Sequence, residues 1–255
     1  MASLLAAGSD LAWWRGAIAA GLSKPLVMID PGHGGSDPGC TGLDGVHEKT
    51  ITLLVGFDLR DALTASGRYR IGMTRTRDVY VTLADRVAMT IESRANLFIS
   101  LHCNHLSNAA SRGALVFTLS RYPSDRLAAA VAKAENGYDI GPVSPQFERV
   151  SPQVAEILRS LELHATEVAS KRVARDVVRA FNGKVGLLPN PDRSANFEVL
   201  RDPLVPSILI EMGCLSNRQD EILLQTVSYR KLIAARICAA ADQYFSVPHP
   251  ERLLG

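Results

Sequence analysis

Four ionisable residues stand where an α/β chain gathers its chemistry. His33 follows the apolar run LVMID in VMIDPGHGG, Glu48 opens EKTITLLVGFDLRDAL, His102 ends LFISLH, and Glu211 ends SILIE. In an open α/β sheet, ligands collect beyond the carboxyl ends of the strands. Three apolar runs therefore each carry a metal-capable or acid–base side chain toward one edge. Two imidazoles and a carboxylate suit a catalytic zinc with one position open for water. A second glutamate remains to move protons. Zinc brings the pKa of its water from ~15.7 toward ~7 and polarises a carbonyl oxygen. His33, Glu48 and His102 are thus the candidate ligands and Glu211 the candidate general base of a zinc hydrolase. His₂Glu with an open position favours zinc among divalent ions without excluding the others.

Each residue also has a plainer reading. A histidine in a Gly-rich turn is commonly a turn or core residue, and Glu48 suits the positive end of a helix dipole in any protein. Glu211 can pair with a buried arginine. The combination carries the argument, since every apolar run ends in the chemistry required. His47, His105, His164 and His249 are less committed; His105, in the loop after His102, is an accessory donor or substrate contact at most. HExxH, GxSxG and Walker-type loops are absent, which excludes the ligand layout of thermolysin-like proteases and the nucleophile elbow.

The elements that must position these residues alternate. Strands are expected over 25–30, 69–75, 97–102 and 114–120, and helices over 48–66, with Gly67 as its stop, and 82–94. Residues 122–183 are helical in pattern, interrupted by the Gly/Pro-rich stretch 137–153, with Ser151 as a helix cap. Strands return at 197–201 and 206–213, and one helix is expected over 218–245. This rhythm predicts an α/β fold: a mixed, largely parallel sheet flanked by helices on both faces, with a helical insertion.

At 255 residues, the chain fits one generous domain over 25–245, with an extension at 1–24 and a tail at 246–255. A net charge of +2 with 6% aromatics argues against a nucleic-acid partner. The apolar start is broken by Asp10 and Arg15 and matches neither a clear signal peptide nor a membrane span. Cys40, Cys103, Cys214 and Cys238 lack CxxC spacing and read as buried thiols.

Taken in order, these segments resemble the zinc-dependent N-acetylmuramoyl-L-alanine amidases of the bacterial cell wall, the amidase-3 group. VMIDPGHGGSDPG is similar to the first metal motif (His33), GVHEKTITL to the second (Glu48), LFISLHCN to the third (His102), and SILIEMGCLSN to the catalytic-glutamate motif (Glu211). TRTRDVYVTLADRV and FEVLRDPLVPS resemble intervening segments. The resemblance implies zinc, cleavage of the amide between N-acetylmuramic acid and L-alanine in peptidoglycan, and a periplasmic or extracellular site. Cys103 replaces a small alanine of the family and Cys214 an aromatic, and no peptidoglycan-targeting domain is recognisable. Segment 122–183 resembles the insertion of cell-division amidases in which a glutamate blocks zinc until an activator protein displaces it. Glu135 is the first candidate for that role, followed by Glu156 and Glu162. The competing expectations are a silent wall-binding or divisome adaptor and a cytoplasmic amidase of recycled muropeptides.

Overall fold

Side-chain alternation along three strands decides which face of the sheet is greasy throughout and which turns polar. The computed structural model describes residues 24–137 and 152–247, with the backbone alone over 152–162. Its strands are β1 (Leu26–Pro31), β2 (Arg70–Met73), β3 (Leu97–Asn104), β4 (Ala114–Leu119), β5 (Leu187–Ala195) and β6 (Ser207–Cys214). They form a single sheet in the order β2-β1-β3-β6-β4-β5, parallel except for the antiparallel β4–β6 pair. This is the mixed, largely parallel sheet expected.

Val27 and Ile29 of β1, Ile99, Leu101 and Cys103 of β3, and Ile208, Ile210 and Met212 of β6 point to one face and join a single large core. Helices α1 (Glu48–Ser66), α4 (Pro152–Phe181) and α6 (Val227–Ser246) cover it. Period-two alternation sends the intervening residues to the opposite face. That face begins apolar with Met28, Phe98 and Leu209. It then becomes polar toward the carboxyl ends, at Asp30, Ser100, His102 and Glu211, all buried. Its cover is thinner: α2 (Leu83–Glu92), α3 (Arg126–Asn136) and the 3₁₀ turn Glu198–Leu200. The remaining helix, α5 (Arg218–Gln225), follows β6.

Local signals explain most boundaries. Gly67 closes α1 in the left-handed conformation (φ 67°), its N–H bonded to the Thr64 carbonyl, a conformation glycine adopts without strain. Thr82 caps α2 through the Asp85 N–H, and Asp125 caps α3 through the Ala128 N–H.

Two expectations need correction. FEVLR is a 3₁₀ turn, and the strand there is β5, further upstream. Pro189 and Pro191 disguise β5, which is an edge strand bonded only to β4 and so tolerates residues without an N–H. Its register shifts between Ala114 and Val116 of β4, near Asn190 at φ 50°. The final helix is two helices, because Thr226 leaves helical backbone and caps α6 through the Tyr229 N–H. Residues 1–23, the 138–151 stretch with the Ser151 cap, and 248–255 with His249 lie outside the described residues.

Candidate metal centre

The first ligand loop is shaped by two buried arginines. Arg75 Nε donates to the Pro31 carbonyl (2.8 Å), and its Nη2 to those of Gly32 (2.9 Å) and Lys49 (2.8 Å). Arg86 Nη1 donates to the Pro31 carbonyl and Nη2 to that of His33, both at 2.9 Å. Arg86 also pairs with Asp30, which accepts hydroxyls from Thr74 (2.6 Å) and Ser100 (2.7 Å). Burial works against charge on Asp30, but Arg86 and these donors outweigh it and hold its carboxyl below the usual range. The clamp imposes a costly backbone: His33 sits at φ 61°, a region that L-residues occupy only when their surroundings insist.

Close packing then aims the rings. A Cβ on Gly32 would lie 2.4 Å from Cε1 and Nε2 of His102, and one on Gly39 2.6 Å from both His33 and Glu48. Asp37 Oδ2 lies 2.7 Å from His33 Nδ1, leaving Nε2 to face the centre. A carboxylate behind the imidazole fixes its tautomer and raises its basicity as a ligand. Glu48, at the first position of α1, accepts the Cys40 N–H on Oε2 (2.9 Å) and the Cys103 N–H on Oε1 (2.8 Å). His102 and Glu211 are register partners on adjacent β3 and β6, so their side chains leave the same face side by side.

Four donors converge. His33 Nε2 is 3.1 Å from Glu48 Oε1 and 3.4 Å from Glu135 Oε2, while His102 Nδ1 is 3.1 Å and 2.8 Å from the same two oxygens. Tetrahedral zinc with bonds of about 2.05 Å separates its ligands by about 3.3 Å. The four donors of His33, Glu48, His102 and Glu135 therefore lie at a spacing that would fit such an ion. Charge agrees: among the described residues, Glu48, Glu135 and Glu211 are brought together without an arginine or lysine ion pair to any of them. Burial disfavours charge on His33, but Glu48, Asp37 and Glu135 overcome it and hold that imidazole far above its usual range. His102 is likewise pushed up to about 10, burial being outweighed by Glu135 and Glu48. Protons thus collect where a dication would reside. Neither Glu211 oxygen has a hydrogen-bond partner among the described residues, and burial, with Glu135 and Glu48 nearby, pushes its carboxyl well up.

Glu135 reaches the centre from α3, which is tied down at both ends. Asp125 pairs with Arg193, Asn136 Nδ2 donates to the Asn196 carbonyl (2.7 Å), and the Glu198 N–H donates to Asn136 Oδ1 (2.9 Å).

The sequence-derived candidates His33, Glu48, His102 and Glu135 meet in one cluster, with Glu211 beside His102 in register. Glu156 and Glu162 fall outside the residues whose side chains are described. His47 lies 3.2 Å from the Thr41 hydroxyl, and His164 is exposed. All four cysteines are free thiols. Sequence reasoning missed Asp37, Arg75 and Arg86. The available signals were an acid four residues from His33 within its turn, and an arginine on the buried stripe of α2.

An α/β sheet that brings two imidazoles and three carboxylates together at its strand ends has the build of a metal-centred hydrolytic site. The chain belongs to the N-acetylmuramoyl-L-alanine amidase family, whose amidase-3 group it matches over residues 27–243. It is 34% identical to AmiC of Escherichia coli O6:H1 over 89% of its own length and 54% of that protein. It is 33% identical to AmiA of Salmonella typhimurium, over 88% of this chain and 77% of that one. The chain thus spans about half the length of its AmiC relatives and three quarters of AmiA. Among solved structures, AmiC2 of Nostoc punctiforme superposes with a TM-score of 0.61 at 24% identity, covering 89% of this chain and all of that one. CwlD of Clostridioides difficile, solved with the GerS lipoprotein, gives 0.62 at 24% identity over 88% and 100%. These two matches support the fold.

Proposed function

We propose that the chain is a zinc-dependent amidase hydrolysing the bond between N-acetylmuramic acid and L-alanine in peptidoglycan, held in a closed state by Glu135. The observation that carries this reading is the meeting of His33 Nε2, Glu48 Oε1, His102 Nδ1 and Glu135 Oε2 at tetrahedral spacing, in a chain of the amidase family.

His33, Glu48 and His102 would hold the ion, and zinc bound there would supply Lewis acidity and acidify water. Asp37 keeps His33 in its ligating tautomer. Glu211 takes the proton from the attacking water and returns it to the departing amide nitrogen. Proton transfer of this kind is typically worth ~10²–10⁴ in rate. Among the described residues neither Glu211 oxygen has a hydrogen-bond partner, which leaves both available to take that proton. Glu135 occupies the position that water and substrate need, so α3 must move before turnover. A partner protein that frees α3 is the corresponding regulator, and wall remodelling or daughter-cell separation outside the cytoplasm is the corresponding setting. Among the described residues, no helix is long and apolar enough to cross a membrane.

The test is release of stem peptides from purified peptidoglycan by the wild type, Glu135→Ala and Glu211→Ala, with zinc content measured for each. Low release by the wild type, a rise of tenfold or more in Glu135→Ala, and none from zinc-loaded Glu211→Ala are expected. A zinc-loaded Glu135→Ala protein that releases nothing would refute the amidase reading and favour a silent wall-binding adaptor. Activity in Glu135→Ala no higher than in the wild type would refute the closed state.

A further inference from the structure

A cavity of about 130 Å³ lies between α3 and the end of β3, walled in part by His33, Glu48 and Glu135. Its sheet side includes Cys40, Cys103 and Leu106, and its helix side Leu127, Val131 and Ala134. Two polar side chains in that wall have no assigned role, the exposed His105 and the buried Asn104. Asn104 is 5% exposed, and its Nδ2 has no hydrogen-bond partner among the described residues.

The backbone of Asn104 is well anchored. Its carbonyl accepts the Leu215 N–H at 2.8 Å, and it closes the β3–β6 ladder opposite Cys214, past the register shift that follows His102. Rigid backbone with an unused side-chain donor is an arrangement that costs stability. Buried polar groups without partners are few in native proteins. Asn104 lies two residues beyond His102, and only the helix side of the cavity would leave with α3. What remains is Cys40, Cys103 and Leu106, with the Asn104 amide and the His105 ring beside the ligand cluster. That chemistry matches a peptide segment with a small apolar side chain and an outward carbonyl.

We propose that Asn104 is a substrate-binding residue, its carboxamide N–H donating to a carbonyl oxygen of the stem peptide lying beside the metal centre. The inference rests on the amidase reading above. A hydrogen bond made equally to ground state and transition state changes KM and leaves kcat alone. Replacing the donor while a substrate carbonyl is still buried is expected to cost about tenfold in binding.

The test uses full-length, zinc-loaded protein carrying Glu135→Ala, with Asn104→Leu and Asn104→Asp added separately. Hydrolysis of soluble muropeptides is expected to show KM raised about tenfold in both, with kcat within about threefold of the parent. Calorimetric binding of N-acetylmuramoyl-L-alanyl-D-isoglutamine, with Glu211→Ala added to prevent turnover, should weaken by a similar factor. Thermal midpoints should stay level or rise in Asn104→Leu, since an unpaired donor has been removed. Unchanged KM and binding would overturn the proposal, as would a fall in midpoint without a change in either. If the Glu135→Ala parent hydrolyses nothing, the amidase reading fails and the binding arm decides alone. Weaker binding by Asn104→Leu than by the parent then supports the Asn104 contact, and equal or absent binding refutes it.

Discussion

Gly32→Ala separates positioning of His102 from stability of the fold. The added Cβ would stand 2.4 Å from Cε1 and Nε2 of the His102 ring, whereas carbon contacts settle near 3.5–4.0 Å. Something must give by about 1 Å. The backbone of Gly32 has little room to retreat, because its N–H donates to the Leu101 carbonyl (3.0 Å) and its own carbonyl accepts from Arg75 and Thr52, each at 2.9 Å. The ring therefore moves, and Nδ1 leaves its place between Glu48 and Glu135. Ligand distances in real sites hold within about 0.2 Å, so a 1 Å displacement effectively removes one donor. The expected loss is at least 10–100-fold in zinc affinity, the scale produced even by outer-shell changes. Overpacking of this size costs stability only about 1–3 kcal/mol. Competition titration against a chelator gives the first quantity, and urea unfolding of metal-free protein the second. A Gly32→Ala protein that binds zinc within threefold of the wild type would show that the close approach does not set the ligand geometry.

Two further outcomes follow from the buried charges. Arg86→Met leaves Asp30 without its ion pair and the Pro31 and His33 carbonyls without its guanidinium, and should lower unfolding free energy by about 3–5 kcal/mol; a loss under about 1 kcal/mol, or no recovery in the Asp30→Asn/Arg86→Met double variant, would contradict the clamp. For metal-free protein, His102 is raised from 6.5 to about 10 by Glu135 and Glu48 against burial. Its contribution is therefore complete below about pH 6.5 and disappears as pH rises through about 10; urea midpoints with chelator present should fall across that window and flatten when zinc is added, and a level metal-free profile would contradict this.

How much of this was legible depends on whether the signal was local. The α1 boundaries follow from Glu48 and Gly67, the β3 and β6 runs announce themselves by apolar residues that lead to His102 and Glu211, and β1 by an apolar run that leads into the Gly-rich turn of His33. Glu135 stood out by its place in the helical insertion, and the fold brings it to within 2.8 Å of His102. β5 was hidden because prolines and polar residues suppress strand character, and only the free edge of β4 makes it a strand. Arg75 and Arg86 were hidden for another reason. Their partners are backbone carbonyls some forty to fifty residues away, and no spacing rule reports such contacts. Asn104 belongs to the same class, since a vacant donor is visible only once the surrounding walls exist.

The arginine clamp also separates this centre from metal domains that assemble around their ion. Where ligands hang on an otherwise unstructured chain, the free energy of metal binding is the free energy of folding, and chelation unfolds the protein. Here guanidinium groups already fix Pro31, Gly32 and His33 through their carbonyls, and an apolar core on the far face holds β1, β3 and β6 in register. This bracing predicts a loop that keeps its shape whether or not a cation is present. On the proposed reading, metal occupancy is a reversible variable of a folded protein, responding to the surrounding zinc supply and to the position of Glu135.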